Sequence, residues 1–280
     1  MVTAVEAPSA ITDPRRRRFL DVRWVAETAS TEADVLALAR EGAGEGVVMV
    51  ADHQTAGRGR AGRSWVAPPG ASLLCTVLLR PPAPLAPLAT FALAVAAADT
   101  VQSLAGIDAK LKWPNDVVVE VDGRTRKLAG ILAEAEWPLG TSAAGGYREP
   151  RAQDRITVAA GIGLNVSWPE RLPEEIAEIA TAVNLLSGAT LDRETLLDHL
   201  LDALDDTYGS LVDDGPGPLL DAWRQRSSTL GTRVRVDLGP DDLVGTATDI
   251  TDDGRLIVDS VTGERCIVAA GDVVHLRPSE

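Results

Sequence analysis

Residues 57–65, Gly-Arg-Gly-Arg-Ala-Gly-Arg-Ser-Trp, combine residue types that suit an anion. Three glycines and three arginines occur within seven positions. Glycine lets the backbone come close to a ligand, and the planar guanidinium of arginine offers several N–H donors to phosphate or carboxylate. This Gly/Arg loop is neither a Walker loop nor a dinucleotide-binding fingerprint, because it lacks Gly-Lys-Ser/Thr and no helix pattern follows it. Taken alone, it indicates an anion site, a nucleic-acid-binding turn or a solvated basic turn.

Three later motifs carry further polar groups. In the first, a proline fixes the backbone between an aromatic residue and two turn-forming residues, which by composition alone indicates a rigid β-turn. In the second, a lysine begins an apolar strand, where it must either meet an anion or extend to solvent. The third is a strand with two glycines, which indicates that a ligand or another backbone comes close. The motifs are residues 112–116, 127–132 and 161–166.

The bulk properties restrict the function classes. The 280 residues allow one large domain plus a small one. The net charge of -14 argues against general binding to nucleic acid, because that affinity comes from Lys and Arg. Cys75 and Cys266 lie among apolar neighbours, so we expect both to be reduced core residues. The histidines lack metal-ligand spacing, and we expect any metal to arrive with a nucleotide.

Neither a membrane segment nor an export signal is predicted. The most apolar run, residues 85–104, is interrupted by Asp99 and by polar residues at 100, 102 and 103, whereas a span needs roughly 20 apolar residues. The arginines at 15–18 are soon followed by Asp21, so no apolar signal core develops. We therefore expect a flexible charged N-terminal arm and a cytoplasmic protein without a membrane partner.

A helix and two strands are expected to position the Gly/Arg loop. Ser30 or Thr31 can begin a helix that ends near residue 40, with acidic residues in its first turn. Residues 47–50 predict a buried strand that enters the loop, and residues 73–79 predict a strand that leaves it. The loop is therefore presented by a strand–loop–strand unit.

The rest of the chain is predicted to contain helices, strands and a small barrel. Helices are expected over residues 85–104, 191–211 and 219–226, and strands over 110–113, 117–121, 127–136 and 156–166. Residues 138–154 are rich in Gly, Pro, Ser and Ala and indicate a mobile surface loop. Beyond residue 230, short strands are expected at 234–236, 243–250, 256–258, 266–268 and 273–276. Turns at 239–240, 253–254 and 262–263 separate them, a pattern typical of a small β-barrel.

The order and spacing of the four motifs closely resemble the catalytic domain of biotin–protein ligases. The resemblance runs from about residue 22 to residue 166, begins with Ser30-Thr31, and agrees with the family's small C-terminal SH3-like domain. It implies an α+β fold: a mixed β-sheet with flanking helices, as in class II aminoacyl-tRNA synthetases, followed by a small SH3-like β-barrel. The implied organisation is an N-terminal arm at 1–20, a catalytic domain at 21–230 and the barrel at 231–280.

The resemblance also implies a two-step ligase reaction. Biotin and ATP give biotinoyl-5′-AMP and pyrophosphate, and a lysine amine then displaces AMP. The lysine belongs to a biotin carboxyl carrier protein or domain of a biotin-dependent carboxylase. Attack by one anion on another needs charge neutralisation and alignment, which Arg, Lys and Mg²⁺ supply. No protein ligand of Mg²⁺ is assigned.

The resemblance assigns roles to the matched positions. The catalytic set is Arg60, Lys127 and Asp116, the last expected to position Mg²⁺ or the incoming lysine. The biotin-binding set is Ser30, Thr31, Gln54, Arg58, Gly59, Arg60, Lys127 and Gly130. The nucleotide-binding set is Arg58, Arg60, Arg63, Trp65, Asn115 and Asn165, with the indole ring of Trp65 offered to adenine. Glu32 stands where the family usually has Asn, and we interpret it as a simple acidic residue of the first helical turn.

Two alternatives are a lipoate-type ligase and a non-catalytic biotin-binding regulatory protein. The Gly/Arg loop and the terminal barrel argue against the first, and the presence of both Arg60 and Lys127 argues against the second. Some relatives carry an N-terminal DNA-binding domain. Only about 20 residues precede the catalytic domain here, so we expect a monofunctional enzyme without a nucleic-acid partner.

Overall fold

The computed structural model describes residues 18–137, 151–169, 174–238, 242–269 and 271–276, in which a seven-stranded mixed sheet is the central element. Its strands are β1 (Asp21–Thr28), β2 (Val47–Gln54), β3 (Ser72–Leu79), β4 (Lys110–Lys112), β5 (Asp116–Val121), β6 (Arg124–Glu136) and β7 (Thr157–Asn165). Their order is β1-β2-β3-β7-β6-β5-β4, with β1 and β2 parallel and the other neighbours antiparallel. The predicted mixed sheet is confirmed.

Helix α1 (Thr31–Arg40) connects β1 to β2 and lies on one face of the sheet. Ser30 is its N-cap, and the side chain accepts a hydrogen bond from a backbone N–H three residues later, as the sequence predicts. The apolar side of the helix packs through Val35 and Leu36 against Met49 of β2. This packing places the first turn of α1 over the middle strands of the sheet.

The opposite face of the sheet is covered by three long helices, α2 (Ala89–Ala105), α5 (Arg193–Asp214) and α6 (Pro216–Arg226). Two short helices that the sequence did not predict, α3 (Glu174–Ala177) and α4 (Val183–Ser187), lie between β7 and α5. The stretch Ala83–Ala105 is long and apolar enough to cross a membrane, yet 72% of its most apolar window is buried inside the protein. The alanines of α2 let it pack closely on the sheet.

A five-stranded antiparallel sheet forms the C-terminal part of the chain. Its strands are β8 (Arg233–Asp237), β9 (Asp242–Ile250), β10 (Leu256–Ser260), β11 (Arg265–Val268) and β12 (Asp272–His275), in the order β11-β10-β9-β8-β12. Buried and exposed side chains alternate along β8, as expected for a barrel wall. The five predicted strands are confirmed, whereas the predicted turn at residues 239–240 lies outside the described residues.

One tryptophan joins the C-terminal sheet to the main sheet. Trp113 follows β4, is buried, and donates a hydrogen bond from its indole N–H to the carbonyl oxygen of Gly254, at 3.0 Å. Its backbone N–H donates to Thr229 Oγ1, also at 3.0 Å. The two parts share one continuous apolar core. The C-terminal sheet is therefore packed where it can contribute to a site on the larger part.

The folded part begins earlier than the sequence predicts. Phe19 lies within the predicted flexible arm, yet its side chain is 0% exposed and belongs to the main core. Arg18 donates to the buried carboxylate of Asp205 on α5, with an NH1–Oδ1 distance of 2.8 Å. The predicted arm is therefore wrong for these residues, because an apolar side chain and an ion pair fix them. Residues 1–17 and 138–150, the latter from the predicted surface loop, lie outside the described residues.

Replacing Phe19 tests this boundary. Phe19→Ala is expected to lower the free energy of unfolding by about 3–5 kcal/mol, because it leaves a cavity in the core. Leu20→Ala is the matched control, because Leu20 is 60% exposed. The measurement is urea denaturation followed by circular dichroism. Equal stability of the two variants would show that Phe19 does not belong to the folding unit.

Candidate active site

A cavity of about 1030 Å³ opens on the sheet face that carries α1. Its walls come from the first turn of α1, the Gly/Arg loop, β6 and β7, and the C-terminal sheet contributes Val274 and His275. All four sequence motifs meet in this wall. Every residue of the predicted catalytic, biotin-binding and nucleotide-binding sets contributes to it, and the roles of these residues stay predictions.

Glycines form the floor of the cavity. Gly130 on β6 pairs with Gly163 on β7, and the ring of Trp65 lies directly on both. A Cβ atom at Gly163 would be 2.5 Å from Cε2 of Trp65, and one at Gly130 would be 2.8 Å from Cε of Lys127. The sequence predicted that a ligand or another backbone comes close to the two-glycine strand. A close approach is present at Gly163, but the group that approaches is the Trp65 side chain from the Gly/Arg loop.

The Gly/Arg loop folds back on itself as a small hairpin. The backbone N–H of Trp65 donates to the Gly57 carbonyl at 2.9 Å, and the N–H of Gly59 donates to the Arg63 carbonyl at 2.7 Å. A Cβ at Gly57 would be 2.6 Å from the Trp65 carbonyl oxygen, so the hairpin needs glycine there. The loop is thus a folded element that reaches the floor through Trp65.

One end of the cavity offers uncharged polar groups. The backbone N–H and the hydroxyl of Thr31 both donate to Oε1 of Gln54, at 2.8 and 3.0 Å. Because the Thr31 hydroxyl has only one proton, its contact with Thr76 Oγ1 at 2.8 Å is one that it accepts. Among the described residues, the amide nitrogen of Gln54 has no hydrogen-bond partner. Thr76, on β3, was not predicted, although a threonine within an otherwise apolar run is a visible signal in the sequence.

The other end carries positive charge. Nζ of Lys127 lies 2.6 Å from Oδ1 of Asp116 and 5.4 Å from the ring centre of Trp65. NH1 of Arg60 donates to Oδ1 of Asn115 at 3.5 Å, and the Asn115 amide nitrogen donates to the Ile131 carbonyl at 2.6 Å. The structure therefore brings the predicted catalytic residues Arg60, Lys127 and Asp116 to one end of the cavity.

Arg58 does not join this positive end. Its NH1 lies 2.8 Å from Oε1 of Glu134 on β6, and its NH2 donates to Oε2 of Glu32 at 3.2 Å. Glu134 is four residues beyond Gly130 on β6, about 13 Å at the usual rise per residue. The arginines of the loop are thus divided between the two ends.

Glu32 is not the simple first-turn acid that the sequence suggested. Its side chain belongs to the first turn of α1 but is only 5% exposed, and it pairs with Arg58. Burial, and next the charge of Glu134, raise the pKa of the Glu32 carboxyl to about 7. The interpretation was wrong because the burial and the repulsion from Glu134 both arise from the fold, and Glu134 is distant from Glu32 in sequence.

Two predicted nucleotide residues have structural partners. Asn165 is buried, and its Oδ1 accepts from the Ser72 hydroxyl at 3.2 Å while its Nδ2 donates to the Thr181 carbonyl at 2.9 Å. Nε of Arg63 donates to the Arg60 carbonyl at 3.2 Å. The predicted nucleotide contacts of Asn165 and Arg63 stay predictions, and Asn165 also ties β7 to the segment before α4.

The C-terminal sheet adds a histidine that sequence reasoning did not assign to the site. Nε2 of His275 lies 3.3 Å from Thr229 Oγ1, and burial, together with the charge of Lys112, lowers the pKa of the imidazole to about 4. His275 is therefore neutral near pH 7.

As for metals, the described part of the chain has no group of three or more His, Cys, Asp or Glu side chains that could hold an ion.

Adding one methyl group at Gly163 tests the contact between the Trp65 ring and the glycines of β6 and β7. In Gly163→Ala, the new Cβ atom is expected to displace the indole ring, so that trypsin cuts at the loop arginines several-fold faster. Gly44→Ala is the control, because a Cβ there has nothing within 4 Å. Cleavage is measured by mass spectrometry on the ligand-free protein. Equal cleavage of both variants and the parent protein would contradict the contact between Trp65 and Gly163.

The raised pKa of Glu32 predicts a pH-dependent stability difference. The folded state keeps the proton between the ordinary pKa of 4.5 and about 7, so the parent protein loses stability as pH rises through this interval. Relative to the parent, Glu32→Gln should therefore gain up to about 3 kcal/mol between pH 4 and pH 8. Urea denaturation at both pH values measures the gain, and a constant difference would contradict the assignment.

Comparisons with known proteins identify the family. Residues 27–140 match the model of the Biotin/lipoate A/B protein ligase family, and residues 229–276 match that of the Biotin protein ligase C terminal domain. The chain is 41% identical to a biotin–acetyl-CoA-carboxylase ligase of Mycobacterium tuberculosis, over 93% of this chain and 90% of the relative. It is 35% identical to the Paracoccus denitrificans protein of that name, over 88% and 97%.

A solved structure agrees with these matches. The biotin protein ligase of Aquifex aeolicus in complex with biotin and ATP superposes with a TM-score of 0.72 and 25% identity, over 92% of this chain and 100% of that one. The agreement includes both the mixed sheet and the C-terminal barrel. From the family matches and the identity with the mycobacterial relative, the chain belongs to the biotin–protein ligase family.

Proposed function

We propose that this protein activates biotin with ATP as biotinoyl-5′-AMP and transfers the biotinoyl group to a lysine of a carrier domain. The observation that carries the proposal is the division of the cavity into two ends. At one end lie the uncharged polar groups of Thr31 and Gln54, and the charge of Arg58 there is paired with carboxylates, whereas the other end holds the cations Arg60 and Lys127. Biotin has matching ends, a cyclic urea and a carboxylate. The names of the mycobacterial and Paracoccus relatives support a biotin carboxyl carrier domain of a carboxylase as the acceptor.

In the first step, a carboxylate oxygen of biotin attacks the α-phosphorus of ATP. A C–O–P linkage forms, the bond to the β-phosphate oxygen breaks, and pyrophosphate leaves. Two anions must approach each other, so cationic groups held in place before the reaction lower the barrier most. Arg60 and Lys127 supply these groups. Lys127 is paired with Asp116 in the structure, so it must share or exchange this partner when the substrates arrive.

In the second step, the lysine amine of the carrier attacks the acyl carbon. A C–N bond forms, the C–O–P linkage breaks at the acyl carbon, AMP leaves, and the nitrogen loses a proton. We assign Asp116 to orient the incoming amine, since its carboxylate lies beside Lys127 at the charged end. Mg²⁺ would enter with the phosphates of ATP, because the described residues offer no cluster of carboxylates of their own.

The remaining roles extend the proposal to the cavity wall. Ser30, Thr31 and Gln54 serve the urea, supported by their uncharged polar groups in that part of the cavity wall. Backbone groups of Arg58 and Gly59, with Gly130, line the path to the carboxylate. The nucleotide would contact Arg63, Trp65, Asn115 and Asn165.

The proposal extends to organisation and compartment. We assign catalysis to residues 21–230, with residues 18–20 added because Arg18 and Phe19 are fixed to this part, and a supporting role to the barrel at 231–280. The matches at 27–140 and 229–276 fit this division. A cytoplasmic location fits two cysteines that are free in the structure.

A lipoate-type activity is the second candidate, because the model matched at residues 27–140 describes biotin and lipoate ligases together. Exchange of labelled pyrophosphate into ATP separates the two. We expect exchange with biotin and none with lipoate. Exchange with lipoate alone would overturn the proposed function.

The same assay tests the charged end. Lys127→Met should reduce exchange by about 10²-fold or more, as expected when a preorganised cation is removed from the reacting centre. Lys110→Met is the control, because Lys110 is exposed and paired with Asp108 outside the cavity. Circular dichroism verifies the fold of both variants. Full activity of Lys127→Met would exclude the lysine from the reaction.

A further inference from the structure

We propose that Arg58 is a positioning residue: a strut that holds the Gly/Arg loop closed over the cavity by bridging Glu32 and Glu134. Its side chain then has a different task from that of Arg60, which faces the anionic part of the substrates. The inference rests on the proposed function for its main measurement. It also makes a prediction for the ligand-free protein.

The first observation is the connection itself. Arg58 belongs to the loop, Glu32 to α1 and Glu134 to β6, so one guanidinium joins three separate elements. The NH1 and NH2 nitrogens each face a different carboxylate, a geometry that the planar fork of arginine favours and a lysine amine does not reproduce. The strut therefore fixes the start of the loop relative to both walls of the cavity.

The second observation is the anchor at the far end of the loop. Trp65 rests on Gly163 and Gly130, so the loop is held at its beginning by Arg58 and at its end by Trp65. Between these anchors, the hairpin bond from the Gly59 N–H to the Arg63 carbonyl carries Arg60 toward Asn115. The position of Arg60 consequently depends on both anchors.

The third observation is charge. Two carboxylates surround one guanidinium, so the cluster offers no net positive charge to an anion. Arg58 is paired with Glu134, which is four residues of β6, roughly 13 Å of strand, beyond Gly130, the residue that the Lys127 amine reaches. The Glu32 carboxylate is buried while that of Glu134 is half-exposed. The bridge thus connects the loop to a buried carboxylate, Glu32, on one side and to a half-exposed carboxylate, Glu134, on the other.

Removing a carboxylate distinguishes a strut from a direct anion ligand by the sign of the effect. If Arg58 bound the substrate anion directly, Glu134→Gln would free its charge and slow dissociation of the adenylate. If Arg58 is a strut, the same change loosens the loop and speeds dissociation. Glu134 does not line the cavity, so its replacement leaves the residues of the cavity wall unchanged.

The experiment measures dissociation of labelled biotinoyl-5′-AMP formed on the intact protein at pH 8, where the Glu32 carboxyl is ionised. Glu134→Gln should raise the dissociation rate about three- to tenfold, the range for a partly exposed ion pair that holds a loop. Arg58→Met should raise it at least as much. The double variant should match Arg58→Met alone, because the carboxylate acts through the arginine. Slower or unchanged dissociation in Glu134→Gln, or additive effects, would overturn the strut.

Glu136→Gln is the matched control. It removes the same charge from the same strand, two residues further on, but Glu136 pairs with Arg40 of α1 rather than with the loop. Its dissociation rate should stay within twofold of the parent protein. An increase equal to that of Glu134→Gln would show that negative charge on β6, not the bridge, is responsible.

A second readout does not require biotin. In the ligand-free protein, Glu134→Gln should speed tryptic cleavage within residues 57–65, and Glu136→Gln should not. Failure of the parent protein to form an adenylate would reject the proposed function but leave this comparison valid. Equal cleavage in both variants and the parent would reject the strut, whatever the reaction proves to be.

Discussion

The close approach of the Trp65 ring to the glycine floor determines how the cavity is built. A side chain larger than hydrogen at Gly163 or Gly130 would occupy the space of the indole ring or of Lys127. Because the ring can lie flat on β6 and β7, the hairpin that carries it closes over the sheet instead of extending into solvent. The contact also brings the Lys127 amine near an aromatic face, 5.4 Å from its centre, which favours a cation there.

Closure of the loop separates the charges of the site. Arg60 is carried to the end that holds Lys127, while Arg58 remains between two carboxylates at the other end. The cations Arg60 and Lys127 are therefore grouped at one end, where the proposed function requires phosphate and carboxylate to meet. Such a concentration is more useful for catalysis than a uniformly basic cavity, because it aligns the two anions as well as neutralising them.

The parts of the fold that follow from local rules were predictable. Ser30 caps α1 through its own neighbouring backbone, and the strands on both sides of the loop are short apolar runs whose pattern is visible without partners. The edge strand β1 was not assigned, since it is only partly buried and alternates weakly. The short helices α3 and α4 were missed because packing against the rest of the chain, not a long periodic pattern, stabilises so few residues.

Side-chain partners were less predictable than side-chain types, and Arg58 shows why. The sequence places three arginines in one loop and indicates that each can bind an anion, but any carboxylate satisfies this capacity. Which arginine meets a substrate depends on whether a protein carboxylate reaches it first. Glu134 is 76 positions away in sequence, and only the antiparallel course of β6 beside the loop brings it to Arg58. The motif therefore specifies which side chains of the loop can bind an anion. The sheet decides which of these arginines is already paired with a carboxylate of the protein.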